Sequence, residues 1–362
     1  MPAWWGHVWH SSSVTPPRTL LGMFPHELEE LVGRWGERAY RGRQIFSELH
    51  RRGVLDPSLM TDLPVRLRRC IEVTRSEEVR RLHSLDGLTS KLLLRLHDGQ
   101  QIEAVEMNTA RADGRKTICV STQAGCAMAC VFCVTGQFGF ARNLEAGEIV
   151  EQVLRFNEPS HRVTNVVFMG MGEPLANYDE TLRAIRLLIH PEGLRLGARR
   201  ITLSTSGLVP QIHRLAAEGL QVGLAISLHA ANDELRSRLM PVNRRWPIAE
   251  LLDAAEAYFK QTGRRVSYEY TLMADMNDSD ADADALARLL AGRLCHVNLI
   301  PLNPTEDPSL HAPSMSRALA FEARLRRAGV AATIRINRGR DILAACGQLR
   351  LSEKRRREAV PA

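Results

Sequence analysis

From residue 117 onward the chain alternates short apolar runs with amphipathic stretches of helical period. The apolar runs are TICVS (117–121), TNVVFMG (164–170), RITLST (200–205), QVGLAISL (221–228), RVSYEYTLM (265–273) and HVNLIPL (296–302), with AATIRI (331–336) as one more candidate strand. They are rich in β-branched residues and continuously apolar, as strands covered on both faces are. Between them the period changes to 3.6. NLEAGEIVEQVLRF reads as a helix capped by Asn143, and further helices are expected at 179–189, 209–219, 247–263, 280–292 and 316–329. The fourth of these, PIAELLDAAEAYFKQTG, opens on Pro247 and closes on Gly263, which suits the two ends of a helix. Six β–α units in sequence predict an α/β fold with a parallel sheet wrapped by helices. Six is short of the eight that close a barrel, so the expectation is a partial, open (βα)6 barrel, with a doubly wound sheet as the runner-up.

Upstream the pattern differs. PHELEELVGRW, RGRQIFSELHRRGV and SLMTDLPVRLRRCIEV are helical in period and rich in arginine. Residues 23–88 are therefore expected to form a small helical domain, whose basic faces either grip nucleic acid or are simply solvated. SKLLLRLHDGQQIEAVEM (90–107) predicts a β-hairpin turning at HDGQ. Residues 1–22 lack the charged-then-apolar order of a signal peptide and are expected to be a disordered tail, with Met23 a candidate start. The core is expected over 89–345, followed by a basic tail through residue 362.

Composition narrows the class. Hydrophobic residues make up 44% of the chain, and 48 Lys and Arg oppose 41 Asp and Glu. The mild positive excess favours a polyanionic partner. Seven cysteines, an odd number in scattered spacing, argue against a disulfide scaffold. No apolar run reaches the length of a membrane span. A cytoplasmic protein with no membrane partner is expected.

Polar motifs fall where the predicted strands end: GMGEP (170–174), STSG (204–207), SLHA (227–230) and LNP (302–304). In β/α barrels the active site forms at the C-terminal ends of the strands. After the first strand comes CAMACVFC, with Cys126, Cys130 and Cys133 inside eight residues. Thiolates bind soft metals and iron–sulfur clusters, and a structural zinc site asks for four ligands. Three cysteines on a four-iron cluster leave one iron open to an outside ligand.

CAMACVFC resembles the cluster motif of radical S-adenosylmethionine (SAM) enzymes, including the aromatic Phe132 before the third cysteine. MGMGEP is similar to their SAM-contacting strand. More specifically, RKTICVSTQAGCAMACVFCVTGQFGFARNL, NVVFMGMGEPLANYDE, RRITLSTSGLVP, LAISLHAANDELR, HVNLIPLNP and AACGQL resemble, in order, the RlmN family of adenine-C2 methyltransferases over about residues 24–350. The resemblance implies a [4Fe-4S] cluster on Cys126, Cys130 and Cys133, and a SAM site formed by Gly172, Glu173, Ser204, Ser227, Leu228, His229 and Asn303. It implies two SAM molecules per turnover. C2 of adenine is electron-poor and cannot attack a methyl sulfonium directly, so the family uses a thiol as carrier. Cys346 matches the methyl-carrying cysteine. Cys119 matches the resolving cysteine, which forms a transient disulfide with Cys346 as the methylated base is released. Glu103 matches the proton acceptor, with Glu106 its rival if the hairpin shifts register. Leu343 departs from the family, which frequently has an acidic residue there. Cys70 and Cys295 match no motif and are expected to be structural.

The implied substrates are an adenosine in the peptidyl transferase centre of 23S rRNA and one beside the tRNA anticodon, with flavodoxin or a similar protein as electron donor. Arg199–Arg200 and Arg244–Arg245 are candidate phosphate contacts. The near alternative is a Cfr-type adenosine C8 methyltransferase. The distant one is a non-catalytic RNA-binding protein with a structural metal.

Overall fold

The computed structural model describes residues 19–109, 114–305, 307–335 and 339–349. The chain begins with a buried 3-10 turn, Leu20–Gly22. Three helices follow: α1 (Pro25–Arg34), α2 (Tyr40–Phe46) and α3 (Val65–Cys70). Pro25 starts α1 at low cost because the first helical N–H has no intrahelical partner anyway. Glu27 then folds back to accept from the Phe24 N–H at 2.6 Å.

Next come the strands β1 (Glu77–His83), β2 (Thr89–Arg95), β3 (Gln101–Asn108) and β4 (Lys116–Cys119), paired antiparallel in succession. The cysteine loop is framed by β5 (Gln123–Gly125), the short α4 (Val134–Gln137) and β6 (Phe140–Asn143). From there the chain alternates through α5 (Ala146–Leu154), β7 (Asn165–Phe168), α6 (Tyr178–Ile189), β8 (Ile201–Thr205), α7 (Val209–Ala217) and β9 (Gly223–Ser227). It continues with α8 (Asp233–Leu239), α9 (Ile248–Thr262), β10 (Val266–Leu272), α10 (Asp280–Leu290), β11 (Cys295–Pro301), α11 (Met315–Arg327) and β12 (Ala332–Ile334).

One sheet contains ten strands in the order β1-β2-β3-β4-β7-β8-β9-β10-β11-β12. From β4 to β12 every neighbouring pair is parallel. The order never reverses. A doubly wound sheet has a point where the strand order switches direction; this one instead winds steadily in one direction, as a barrel does. The edges β1 and β12 do not pair among the described residues, so the barrel is open. AATIRI supplies the seventh parallel strand.

Three expectations need correction. The tail does not extend to residue 22: Leu20 and Leu21 are buried, and Arg183 Nε donates to Gly22 O at 2.7 Å. Residues 1–18 of that expectation lie outside the described residues, as do 350–362 of the basic tail. The helical segment does not reach residue 88, because β1 joins the hairpin and makes it three-stranded. β1 is charged and mostly exposed, with the sequence EEVRRLH, so it carried no alternating apolar signal. Finally, Asn143 does not cap α5. It ends β6, where its Oδ1 accepts from Gln123 Nε2 at 2.8 Å. Glu145 is the cap, in a reciprocal capping box with Glu148.

Candidate active site

The strand ends open into a cavity of about 1010 Å³, counting its mouth, lined by Cys126, Cys130, Cys133, Glu173, Ser204 and Asn303 among others. The cysteine loop is shaped by backbone that few residues tolerate. Gly125 has φ +81°, and a Cβ there would lie 2.0 Å from Gly139 O. Ala129 is also left-handed, at φ 52°. Burial pushes all three thiols up, Cys126 to about 12. A metal reverses that penalty by taking the proton's place. Among the described residues no three His, Cys, Asp or Glu side chains form a site for a single ion. The cysteines of a cluster bind different irons, so they need not converge on one point.

Gly172 lines the same cavity at φ +99°, with no room for a Cβ, which would lie 2.5 Å from Gln123 Cβ. The next residue, Glu173, is buried, and both its oxygens accept from backbone: Oε1 from Leu175 N at 3.0 Å and Oε2 from Ser206 N at 2.7 Å. Burial raises its proton affinity and these bonds oppose the rise. The Ser206 and Thr205 side chains oppose it as well.

His229 is left-handed (φ 58°), and its Nδ1 accepts from Thr271 N at 2.9 Å. The ring proton is therefore on Nε2. Burial, with Arg236 adding to it, lowers its pKa to about 3, so the imidazole is neutral. Phe132 meets it edge-on, ring centroids 4.7 Å apart.

Asn303 donates from Nδ2 to Cys346 O at 3.0 Å. Its Oδ1, together with Gln348 Oε1, is buried without a partner among the described residues, and both residues line the cavity. Unpaired buried polar atoms of this kind are rare unless a ligand or water meets them. Ser204 and Ser227 also line the cavity, but Leu228 does not. Leu228 is fully buried, and only its backbone is engaged: its N–H donates to Glu269 O and its carbonyl accepts from Arg236 Nε.

A second cavity, of about 1370 Å³, adjoins the first and is lined by Val105, Met107, Cys119 and Ala345 among others. The two share Met169, Ile300, Arg335 and Cys346. Cys346 thus borders both chambers, while Cys119 borders the second alone. Cys346 is exposed by area but closely surrounded by protein, and its thiol is pushed up by burial. Cys119 is buried and pushed up to about 12, first by burial and then by Cys346; Arg335 works against the rise at both thiols. No disulfide is present among the described residues.

The loop carrying Cys346 is fastened at both ends. Asp341 Oδ2 accepts from Leu85 N at 2.8 Å, and Lys91 Nζ donates to Leu343 O at 3.1 Å. Beyond the cysteine, Gly347 O accepts from Val134 N at 2.9 Å, just past the cluster loop. The loop therefore spans from the antiparallel extension to the cysteine triad.

Glu103 lines neither cavity. It is fully buried, and its Oε1 lies 3.2 Å from Lys91 Nζ. It shares a face of β3 with Val105, which pairs with Cys119. Glu106, on the opposite face, pairs with Lys116 at 3.0 Å. Cys70 is exposed on α3, and Cys295 is buried in β11. Sequence reasoning missed Arg236, Gln348 and the Arg335–Glu269–Asn298 group. Their only sequence signal was proximity to motifs already noted.

An open β/α barrel with three cysteines and a glycine–glutamate strand end facing one chamber defines a radical SAM enzyme. The model of the radical SAM superfamily matches residues 120–287, and that of the ribosomal RNA large subunit methyltransferase N-terminal domain matches 18–74. The chain is 48% identical over 345 residues to a probable dual-specificity RNA methyltransferase RlmN from Moorella thermoacetica, covering 92% of this chain and 98% of that one. It is 46% identical to the dual-specificity RNA methyltransferase RlmN of Sorangium cellulosum, over 90% of this chain and 93% of that one. A crystal structure of a radical SAM methyltransferase from Sphaerobacter thermophilus matches with a TM-score of 0.89 and 51% identity, covering 92% of this chain and 99% of that one. The chain belongs to the RlmN family of radical SAM RNA methyltransferases, whose superfamily chemistry requires a [4Fe-4S] cluster and SAM. No helix among the described residues is long and apolar enough to cross a membrane.

Proposed function

We propose that this enzyme methylates C2 of an adenosine in 23S rRNA and in tRNA, with Cys346 as methyl carrier and Cys119 as resolving thiol. The observation that carries the reading is the place of Cys346 at the junction of two chambers. One chamber holds the cysteine triad and the unpartnered polar atoms. The other holds Cys119 and is open enough for a base extruded from its stack.

The residues suited to the cofactors are Cys126, Cys130 and Cys133 for the cluster, and Gly172, Glu173, Ser204, Ser227, His229 and Asn303 for SAM. Leu228 would contribute only by holding the strand end. Bound there, the cluster and SAM supply a methyl cation equivalent in one use and a 5′-deoxyadenosyl radical in another. Cys346 sulfur accepts the methyl group. It then presents the carbon, after loss of one hydrogen atom to the deoxyadenosyl radical, to C2 of the adenine; the adduct would return one electron to the oxidised cluster as C2 loses its proton, leaving a thioether between protein and RNA. Glu103 accepts the C2 proton, its charge balanced by Lys91. Cys119 sulfur, as the thiolate, attacks the Cys346 sulfur, the S–C bond breaks with its electron pair toward the base, whose methylene carbon takes up a proton to become the methyl group, and a disulfide is left for an outside reductant to restore. Asn303, bonded to Cys346 O, keeps the carrier aimed at the first chamber.

Exposed Arg199, Arg200, Arg244 and Arg245 are positioned to meet RNA phosphates, and Arg245 also stacks over Trp246 at 4.7 Å. A flavodoxin-class protein is the expected one-electron donor. The test is Cys119→Ala incubated with RNA, SAM and a reductant. A covalent protein–RNA adduct through Cys346 is expected; normal turnover would remove the roles given to both thiols. Digestion of the wild-type product distinguishes 2-methyladenosine from the 8-methyl isomer of a Cfr-type enzyme.

A further inference from the structure

Arg236, on α8, is fully withdrawn from solvent. Its guanidinium donates from Nε to Leu228 O at 3.1 Å and from Nη1 to Asn243 Oδ1 at 2.7 Å. Nη2 donates to Ser206 O at 2.7 Å and to Ser227 O at 3.0 Å. Every one of these acceptors is neutral. Asp233, at the start of the same helix, has its Oδ1 engaged by Asn243 Nδ2 and Ile248 N. A buried charge hydrogen-bonded only to neutral dipoles carries a large desolvation cost. The strain is felt by the guanidinium, which burial lowers to about 10.

Asp233 favours its charge, and the carbonyls that hold the guanidinium lead to the cluster side. Ser206 and Ser227, whose carbonyls hold the guanidinium, line the chamber that contains the three cysteines. The helix that carries Arg236 is bonded to the cysteine loop, Val131 N to Leu239 O at 3.1 Å. Arg236 does not itself line the chamber, so it meets neither substrate nor SAM.

We propose that Arg236 is the built-in counter-charge of the iron–sulfur cluster, a positioning residue whose fixed positive charge raises the cluster's reduction potential. Reduction adds one electron to the cluster. A fixed cation behind the chamber wall, in a medium of low dielectric, stabilises the reduced form more than the oxidised one. The same fork of donors ties the ends of β8 and β9 together, so the strand ends offered to SAM and the charge behind the cluster are set by one side chain. The inference rests on the assignment of Cys126, Cys130 and Cys133 as cluster ligands, and not on the roles of Cys119 and Cys346.

The experiment is a potentiometric titration of the reconstituted full-length protein, followed by electron paramagnetic resonance, without RNA or SAM. Iron and sulfide analysis reads the ligand assignment separately: a wild-type protein without four-iron clusters would sink that assignment, not the role of Arg236. For Arg236→Gln with wild-type iron content, the ratio of reduced to oxidised cluster at a fixed potential is expected to fall about tenfold, a shift of about 59 mV for one electron. Arg236→Lys, which keeps the charge and loses the fork, should stay near the wild type. A wild-type potential in Arg236→Gln, or an equal fall in Arg236→Lys, overturns the proposal. Should Arg236→Gln lose its cluster, Asp233→Asn decides. It keeps an Oδ1 acceptor and removes a negative charge near Arg236, so the potential should rise; an unchanged or lower value overturns the proposal.

Discussion

The molecule holds two sets of cysteines assembled in opposite ways. Cys126, Cys130 and Cys133 lie on one loop, shaped by local backbone and closed by the small β5–β6 ribbon. Cys119 and Cys346 lie at opposite ends of the parallel sheet's run through the sequence, and only the winding of the barrel brings them to one chamber. The first set is a motif, and the second is a product of the fold. The local set can be damaged by one substitution in its loop. The distant set depends on every contact that seats the last loop on the sheet extension.

The sharpest way to separate the two sets is to remove one member of each. Cys130→Ala should lose iron and sulfide and with them all SAM cleavage and methylation. Cys346→Ala should keep iron, sulfide and SAM cleavage while RNA methylation falls to background. Equal loss of iron in both variants would erase the distinction. Next in size is the effect of pH on resolution. With the Cys119 thiol pushed up to about 12, its thiolate fraction rises about tenfold for each pH unit below that value. The release of a pre-formed adduct should therefore accelerate about a hundredfold from pH 7 to pH 9; a flat profile would mean that Cys119 is not the attacking thiolate.

Lys91→Met should break a fully buried ion pair and free the Leu343 carbonyl, at a cost of about 3 kcal/mol of stability. Urea denaturation reads the loss, and it should fall on methylation more than on cluster content. An equal loss from both would show that the two sets share one support. The smallest effect is expected from reversing Arg244 and Arg245 to Glu. RNA affinity should fall several-fold, more at low salt than at high, with SAM cleavage unchanged. No change in affinity would make that face merely solvated.

The same contrast explains what could be read from the sequence. Strands buried on both faces announce themselves as apolar runs, so the parallel sheet was legible almost strand by strand. β1 was not, because an exposed strand of alternating charges owes its conformation to pairing with β2 rather than to any face it buries. Asn143 misled as a cap for a similar reason: a good capping residue was already used in a strand pair, and Glu145 took its place. In the site, the cysteine triad and the glycine–glutamate turn were visible because their spacing is the chemistry. The roles proposed for Glu103 and Cys346 come only from resemblance, since a strand glutamate and a cysteine beside alanines have no local signature. Arg236 had none either. Nothing in DELRSRL tells which arginine turns inward, and the answer lies in carbonyls that β8 and β9 supply from elsewhere.

The double fastening of the carrier loop bears on how the enzyme is made. Leu85 meets Asp341 across 256 positions, and Lys91 meets Leu343 across 252. A growing chain presents the cysteine triad, the strand-end turns and Cys119 long before it presents Cys346. Throughout that interval the sheet can wind and the triad can be filled, while the second chamber still lacks the thiol of Cys346. On the roles proposed for the two thiols, the chemistry is armed last, by the loop that docks on the sheet extension.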